Sequence, residues 1–283
     1  VFAQLNYKDY VSVRPEKNTA WLEGISTQDI IQIQKHILGI QNFANPAEWI
    51  AADIDNNGRV TTSDIVLLRK LILGKISKVN ENTSWRFISQ FQTFKDRENP
   101  LESELLESYE NDQLNHDLRL DFTGIKIGDL SEQKPKIVSE NAESRIRTHD
   151  FILENKSTSK GEKIIQDVFI GKNTDFEGFQ FGINYTQDEL ELESITEYIT
   201  NDLGEEIKSD YYSNRDGYFF ISYSISQLAR LSQNQKILRL KWKSKSSKTL
   251  DQMMNFKEGL QRFELYSGSG QADQLKLGFK NST

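Results

Sequence analysis

In the twelve residues from Asp53 to Asp64, side-chain oxygens stand at the first, third, fifth, ninth and twelfth places: Asp53, Asp55, Asn57, Thr61 and Asp64. The sixth place is Gly58, where a tight loop needs a residue that tolerates positive φ. A hard dication such as calcium takes six to eight oxygen ligands. Asp53, Asp55, Asn57, Asp64 and the main-chain carbonyl of Arg59 would supply most of them. The loop closes on Asp rather than the usual Glu, so a shorter carboxylate must find a slightly different path into the following helix. The plainer alternative is a polar turn before an N-capped helix; the match at five positions and the glycine favour calcium.

Other chemistry is poorly represented. The three histidines, His36, His116 and His149, are far apart. His36 has no second histidine at ligand spacing, which points to a surface or capping role rather than zinc. The chain has no cysteine, hence no disulfide or thiolate site. It contains no Gly-x-Ser-x-Gly nucleophile turn and no glycine-rich phosphate loop. With 42 carboxylates, some pair will always resemble a glycosidase acid and base, and that has little weight. The acidic run Glu189 to Glu193 reads as a solvated strand edge. Lys241 to Lys248 reads as a solvated strand end rather than a polyanion site. An enzyme is therefore not expected.

The elements that must hold the loop come as a repeat. Ile25 to Gly39 aligns with Val60 to Gly74 at an offset of 35, with seven identities: Thr27/Thr62, Asp29/Asp64, Ile30/Ile65, Lys35/Lys70, Ile37/Ile72, Leu38/Leu73 and Gly39/Gly74. Each copy reads as a helix, with Ile30, Ile33 and Ile37 on one apolar stripe and Ile65, Leu68 and Ile72 on the other. Gly39 and Gly74 fit the place just past each helix end. Upstream, the first copy has Asn18, Ala20, Leu22 and Glu23 where the second has Asp53, Asp55, Asn57 and Gly58. Asp29 survives, but Ser26-Thr27-Gln28-Asp29 is also a helix-capping pattern. One calcium site and one degenerate loop are expected.

Two helices each ending Ile-Leu-Gly, joined through Pro46 to Asp53 and a loop closing on Asp64, resemble dockerin domains. The chain beyond, with Trp85-Arg86-Phe87 and Gly124-Ile125-Lys126-Ile127-Gly128-Asp129, is similar to dockerin-type modules near the C-termini of large secreted Bacteroidetes surface proteins. That resemblance implies Ca2+ as the bound ion, export by type IX secretion and a place at the cell surface. It also implies recognition of a protein through Thr62, Ser63, Arg69 and Lys70, with Thr27, Gln28, Gln34 and Lys35 as the alternative face. The bland reading of Arg69 and Lys70 is that they favour the negative end of their helix.

Residues 1–130 are read as this dockerin-like unit with a small β extension. Tyr10 to Val13 reads as a strand, pairing with another at Leu118 to Phe122. A short helical segment is expected from Leu101 to Tyr109, and Trp85, Phe87, Phe91 and Phe94 are expected to pack into the core. Residues 131–144 are polar, carry Pro135 and read as a linker.

From 145 to 283 the pattern changes to eight alternating strands: Asp150–Leu153, Ile164–Gly171, Gly178–Tyr185, Leu190–Ile195, Tyr218–Tyr223, Ile237–Lys243, Gln261–Leu265 and Gln274–Phe279. This predicts an antiparallel β-sandwich, whose Gly178 to Tyr185 strand and Leu250 to Phe256 turn resemble cohesin-like or carbohydrate-binding-module-like domains. The fold class is thus a multidomain α+β and all-β chain.

The net charge of −7, from 35 basic and 42 acidic residues, argues against nucleic acid as the main partner. No apolar run reaches the roughly 20 residues needed to cross a bilayer. The 283 residues open on Val1 and read as part of a longer, processed protein. The function expected is a non-enzymatic, calcium-stabilised module for protein–protein interaction, anchoring or adhesion. Its partner is another protein or another domain of the same surface protein. The alternative is a carbohydrate-binding accessory module of a secreted polysaccharide-degrading enzyme, which would make a glycan the partner.

Overall fold

A computed structural model describes residues 10–111, 119–131, 147–259, 261–268 and 272–280. Its contacts divide the chain into two units. The first comprises residues 1–25, 32–71 and 76–137; the second comprises 26–31, 72–75 and 138–283. Most of the expected linker, from 132 onward, lies outside the described residues.

The first unit opens on β1 (Val11–Val13) and holds the second half of helix α1 (Thr27–Ile37), all of α2 (Pro46–Ala52) and α3 (Thr62–Ile72) up to Leu71; the first five residues of α1 and Ile72 are assigned to the second unit. The repeat predicts α1 and α3. Their terminal glycines take the left-handed conformation, φ +67° at Gly39 and +64° at Gly74. After α1, Ile40 donates its N–H to the Lys35 carbonyl at 2.9 Å and Gly39 to that of His36 at 3.0 Å, so the last carbonyls are satisfied. Helix α2 is an addition to the expected pair. Asn45 caps it, its Oδ1 accepting from the N–H groups of Ala47 and Glu48 at 2.9 and 3.1 Å, and Pro46 fixes its first turn.

Three short strands complete the unit: β2 (Trp85–Ser89), β3 (Tyr109–Asn111) and β4 (Phe122–Lys126). Their pairing differs from expectation. β1 pairs with β3, while β4 pairs antiparallel with β2, setting Trp85 opposite Lys126. The strand expected over Leu118 to Phe122 starts only at Phe122, and Leu118 is outside the described residues. The segment expected to be helical from Leu101 holds only a 3-10 turn at Pro100–Glu102.

The aromatic core is also corrected. Trp85, Phe87 and Phe94 are half-buried and Phe91 is 48 % exposed. The extension contributes Val79, Ile88, Ile125, Ile127 and Leu130 to the interior instead, with Ile33, Ile50, Ile54 and Leu68 from the helices and loop. A strand puts alternate residues on opposite faces, and in β2 the apolar Ile88 takes the inward place while the rings of Trp85 and Phe87 take the other side.

In the second unit all eight expected strands are present. The strands of the unit run β5 (Thr148–Glu154), β6 (Lys163–Ile170), β7 (Thr174–Tyr185) and β8 (Leu190–Glu197), then β9 (Glu205–Glu206), β10 (Tyr212–Arg215), β11 (Tyr218–Leu231) and β12 (Lys236–Ser244). A short helix α4 (Leu250–Met253) leads into β13 (Met254–Asn255), followed by β14 (Glu264–Tyr266) and β15 (Ala272–Lys280). Of these, β9, β10 and β13 go beyond expectation. The ladder runs β10-β11-β7-β14-β15-β5-β6-β12-β8-β9, with β13 beside β7. Its pairs are antiparallel except β15 with β5.

The sheet curls so that its two ends face each other. The rings of Tyr185 on β7 and Trp242 on β12 meet at 5.3 Å although these strands are not neighbours in the ladder. Phe179, Phe181 and Ile183 of β7 are fully buried, as are Leu238, Leu240 and Trp242 of β12. Period-2 alternation put each of these sets on one face, and both faces line the same core.

Segment 26–31 is part of this second unit. Thr27 donates its N–H and its hydroxyl to Gln180 Oε1 at 2.9 and 2.8 Å, and its Oγ1 lies 2.7 Å from Ser222 Oγ. Gln180 Nε2 donates to the Arg262 carbonyl at 3.1 Å. This network is buried and each of its named polar groups is paired.

A second buried pair supplies a test of the core. Trp242 Nε1 donates to Gln166 Oε1 at 2.9 Å, and both residues are fully buried. A buried donor without its partner costs about 1–3 kcal/mol. Gln166→Leu should lower the unfolding free energy by that much, seen as a lower urea midpoint at an unchanged slope; an unchanged midpoint would show that the pair contributes nothing.

Candidate metal centre

The loop between α2 and α3 gathers its acids. Oxygens of Asp53, Asp55 and Asp64 all lie within 4.8 Å of one another, the one such cluster among the described residues. Two of the three are buried, Asp53 at 1 % and Asp64 at 0 % exposure.

Main-chain N–H groups hold the cluster in place. Asp53 Oδ1 accepts from Asn57 N–H and Oδ2 from Gly58 N–H, each at 3.0 Å. Asp64 reaches back across the loop, Oδ1 accepting from Ile54 N–H at 2.8 Å and Oδ2 from Thr61 N–H at 2.8 Å. Asp55 Oδ2 accepts from the Ser63 hydroxyl at 3.0 Å. Two left-handed residues, Asn56 at φ +56° and Gly58 at +78°, make the turn. A Cβ on Gly58 would meet nothing closer than 4.0 Å, so the glycine is needed for its backbone angle and not for space.

The electrostatics are those of crowded, partly desolvated carboxylates. Burial, and then the charges of Asp64 and Asp55, push Asp53 up to about 6 against the hydrogen bonds that pull it down. Asp64 is raised as well, first by burial and also by Asp55. Three carboxylates carry about one charge more than a dication neutralises. Of the other expected ligands, Asn57 is exposed and donates its N–H to Asp53 and Asp55, and Arg59 is exposed. The donor set fits a hard, oxygen-seeking ion. Such an ion would supply charge neutralisation and nothing redox.

Residues outside the loop support it, and spacing alone could not single them out. Asn82 Nδ2 donates to the carbonyls of Asp53 and Ile54 at 3.0 and 3.2 Å. Arg86 Nη1 donates to Asn56 Oδ1 at 2.8 Å.

The first loop is held differently. Lys126, 2 % exposed, donates its ammonium to the Trp21 carbonyl at 2.9 Å and to the Ile127 carbonyl at 3.3 Å. Ser84 donates its N–H to Asn18 Oδ1 at 3.0 Å and its hydroxyl to the Thr19 carbonyl at 2.8 Å. Asp29 Oδ2 accepts from Ser26 N–H at 2.8 Å, the back-reach of a helix cap. A fixed side-chain cation thus stands against the loop that has lost its acids.

The remaining residues singled out by sequence are dispersed. Thr62 and Ser63 are exposed and Lys70 is half-buried, whereas Arg69 is 8 % exposed. On the alternative face Thr27 and Gln28 are buried, and Gln34 and Lys35 are half-buried. His36 stacks on Phe43 at 3.9 Å and its Nδ1 accepts the Phe43 N–H at 3.2 Å; burial lowers its pKa, keeping it a neutral acceptor. His149 Nε2 lies 3.1 Å from Asp273 Oδ2, the oxygen that also accepts the Ser267 hydroxyl at 2.5 Å. The serine thus gives its proton to the carboxylate and not to the imidazole, the reverse of what a nucleophile needs. His116 is outside the described residues.

Two outcomes are expected. Asp53 holds its proton more tightly in the folded, ion-free chain than when unfolded, so its stabilising effect is present at low pH and lost as pH rises through about 6. Calcium needs the ionised form, so its affinity should run the opposite way, about tenfold weaker at pH 5 than at pH 7 by calorimetry. Replacing Lys126 by Met should lower the melting temperature by the same amount with calcium or with chelator. It orphans buried carbonyls, at about 1–3 kcal/mol each, without touching the acidic loop.

No protein-family model matches the chain, and no curated protein does. Among solved structures, it is similar over 50 % of its length to 99 % of a chain of the OlpC type I cohesin–dockerin complex from Clostridium thermocellum, at 11 % identity and TM-score 0.37. A chain of the OlpA complex from the same organism matches at 15 % identity, TM-score 0.36, over 48 % of this chain and 100 % of that one. A non-cellulosomal cohesin from the archaeon Archaeoglobus fulgidus matches at 13 % identity, TM-score 0.33, over 48 % and 92 %. At these scores the likeness says nothing of what this chain binds.

Proposed function

We propose that this chain is a non-enzymatic, calcium-stabilised module that works by binding protein. In this reading a dockerin-like helix–loop–helix unit is joined to a cohesin-like sandwich within a large secreted protein at the bacterial cell surface. The observation that carries it is the convergence of Asp53, Asp55 and Asp64 within 4.8 Å. Buried like charges at that distance cost folding free energy unless an ion is bound, and a binding module is a use for rigidity that needs no catalytic group. The calcium ligands are Asp53, Asp55, Asn57, Asp64 and the Arg59 carbonyl.

Exposure supports Thr62 and Ser63 as the partner-binding end of α3, with the half-buried Lys70 two turns further along the helix. Arg69 and Thr27 are buried and offer a partner less. The buried network of Thr27, Gln180 and Ser222 supports a structural role for the alternative face.

Calorimetric titration with calcium tests the reading. The wild type should bind one ion per chain, and Asp53→Asn should lose that heat together with the calcium-dependent gain in melting temperature. That gain should reach about 2.7 kcal/mol at a hundredfold excess over Kd. A wild type that takes up no calcium ends this proposal.

A further inference from the structure

The rings that turn out of the core have a place to act. Trp85 and Phe87 lie two residues apart on β2, hence on one face of its ribbon with β4. Their planes are 21° apart and their centroids 6.5 Å apart. Opposite them is Gly124, where an added Cβ would come within 3.3 Å of the Phe87 ring and 3.5 Å of the Trp85 ring. The glycine therefore lets both rings lie close against the ribbon.

Beside Trp85 is an open cavity of about 380 Å³. Its charged side chains balance, Arg14, Lys17 and Arg86 against Glu16, Glu81 and Glu107. Several are already paired: Arg86 with Glu107 at 2.7 Å, and Arg14 with Glu16 and Glu107 at 3.9 and 4.0 Å. Such a wall has no net charge to draw in an ion. Of its amide side chains, those of Asn56 and Asn82 are engaged within the protein, while that of Asn80 is exposed on the wall. The indole Nε1 of Trp85 is shielded from solvent and has no hydrogen-bond partner, which is uncommon for a buried donor.

We propose that this cavity binds a neutral sugar ring, with Trp85 as its platform. A pyranose has an apolar C–H face and a rim of hydroxyls that both donate and accept. The first suits a half-exposed indole and the second suits amides and carboxylates. A peptide anchor would ask for an apolar pocket, and the walls here are polar. The exposed Lys17 ammonium, 4.3 Å from the Trp85 centroid, holds the ring face in the free protein and is exchanged for sugar C–H groups on binding.

The cavity shares a wall with the acidic loop. Asn56 belongs to both and accepts from Arg86, and Asn82 holds the carbonyls of Asp53 and Ile54. Sugar affinity therefore rises when calcium orders the loop, a consequence that rests on the calcium reading; the site itself does not.

The test is retention of the whole chain on immobilised oligomers of glucose, xylose, mannose and N-acetylglucosamine, with calcium and with chelator. At least one neutral oligomer should retain the wild type. Trp85→Ala should lose at least tenfold in affinity, and Asn80→Ala, a change at an exposed residue, at least threefold with its melting temperature unchanged. Retention by none of the oligomers overturns the proposal. So does equal retention of both variants, which would place a sugar site elsewhere. Calcium uptake is measured on the same samples by calorimetry. If no ion binds, retention that still depends on Trp85 and Asn80 upholds the sugar site while the calcium reading fails.

Discussion

Three carboxylates pressed together, two of them out of water, set the terms for the first unit. Burial and its neighbours push Asp53 up to about 6, a cost of roughly 3 kcal/mol against the charged form. That is a large share of what holds a small domain together. The hydrogen bonds from Asn57 and Gly58 offset only part of it. In the proposed reading a bound dication would remove the repulsion and add its own binding free energy. The turn at Asn56 and Gly58, the start of α3 at Thr62 and the back-reach of Asp64 to Ile54 are what bring the three acids together.

The extension beyond α3 is what makes so small a helical set sufficient. Short helices with one apolar stripe each bury too little surface to offset their ordering entropy. The strands β2 and β4 add Ile88 and Ile125, and the chain around them adds Val79, Ile127 and Leu130, to the interior. The same stretch holds the two loops through Ser84, Asn82, Arg86 and Lys126. It therefore contributes polar ties as well as apolar area, and those ties go to backbone groups that no regular element would satisfy.

What the sequence made legible follows from the range of each signal. Period 3.6 and period 2 gave α1, α3 and the eight main strands of the sandwich, because those patterns are local and each face is buried. The acid cluster was legible because its residues lie within twelve positions of each other. Helix α2 escaped notice although Asn45-Pro46 is a start signal, because its seven residues are too few to show a period. β10 also escaped, although Asp216-Gly217 is a hairpin turn with φ of +51° and +75°. Apolar character alone does not place Trp85 and Phe87 in the core, because one face of a two-stranded ribbon remains open to water. Strand partners are long-range facts: nothing near Val11 says that it will meet Asn111.

The two loops also differ in when they can form. Closing the acidic loop joins residues 53 and 64, an event local to a dozen positions. Closing the other joins Lys126 to Trp21, 105 residues apart, and has to wait until the strand bearing the lysine is made and placed. Loop-closure entropy rises with separation and long-range contacts form late. One loop is tied by its own neighbours in sequence, and the other has no tie from Lys126 until the chain is complete through residue 126.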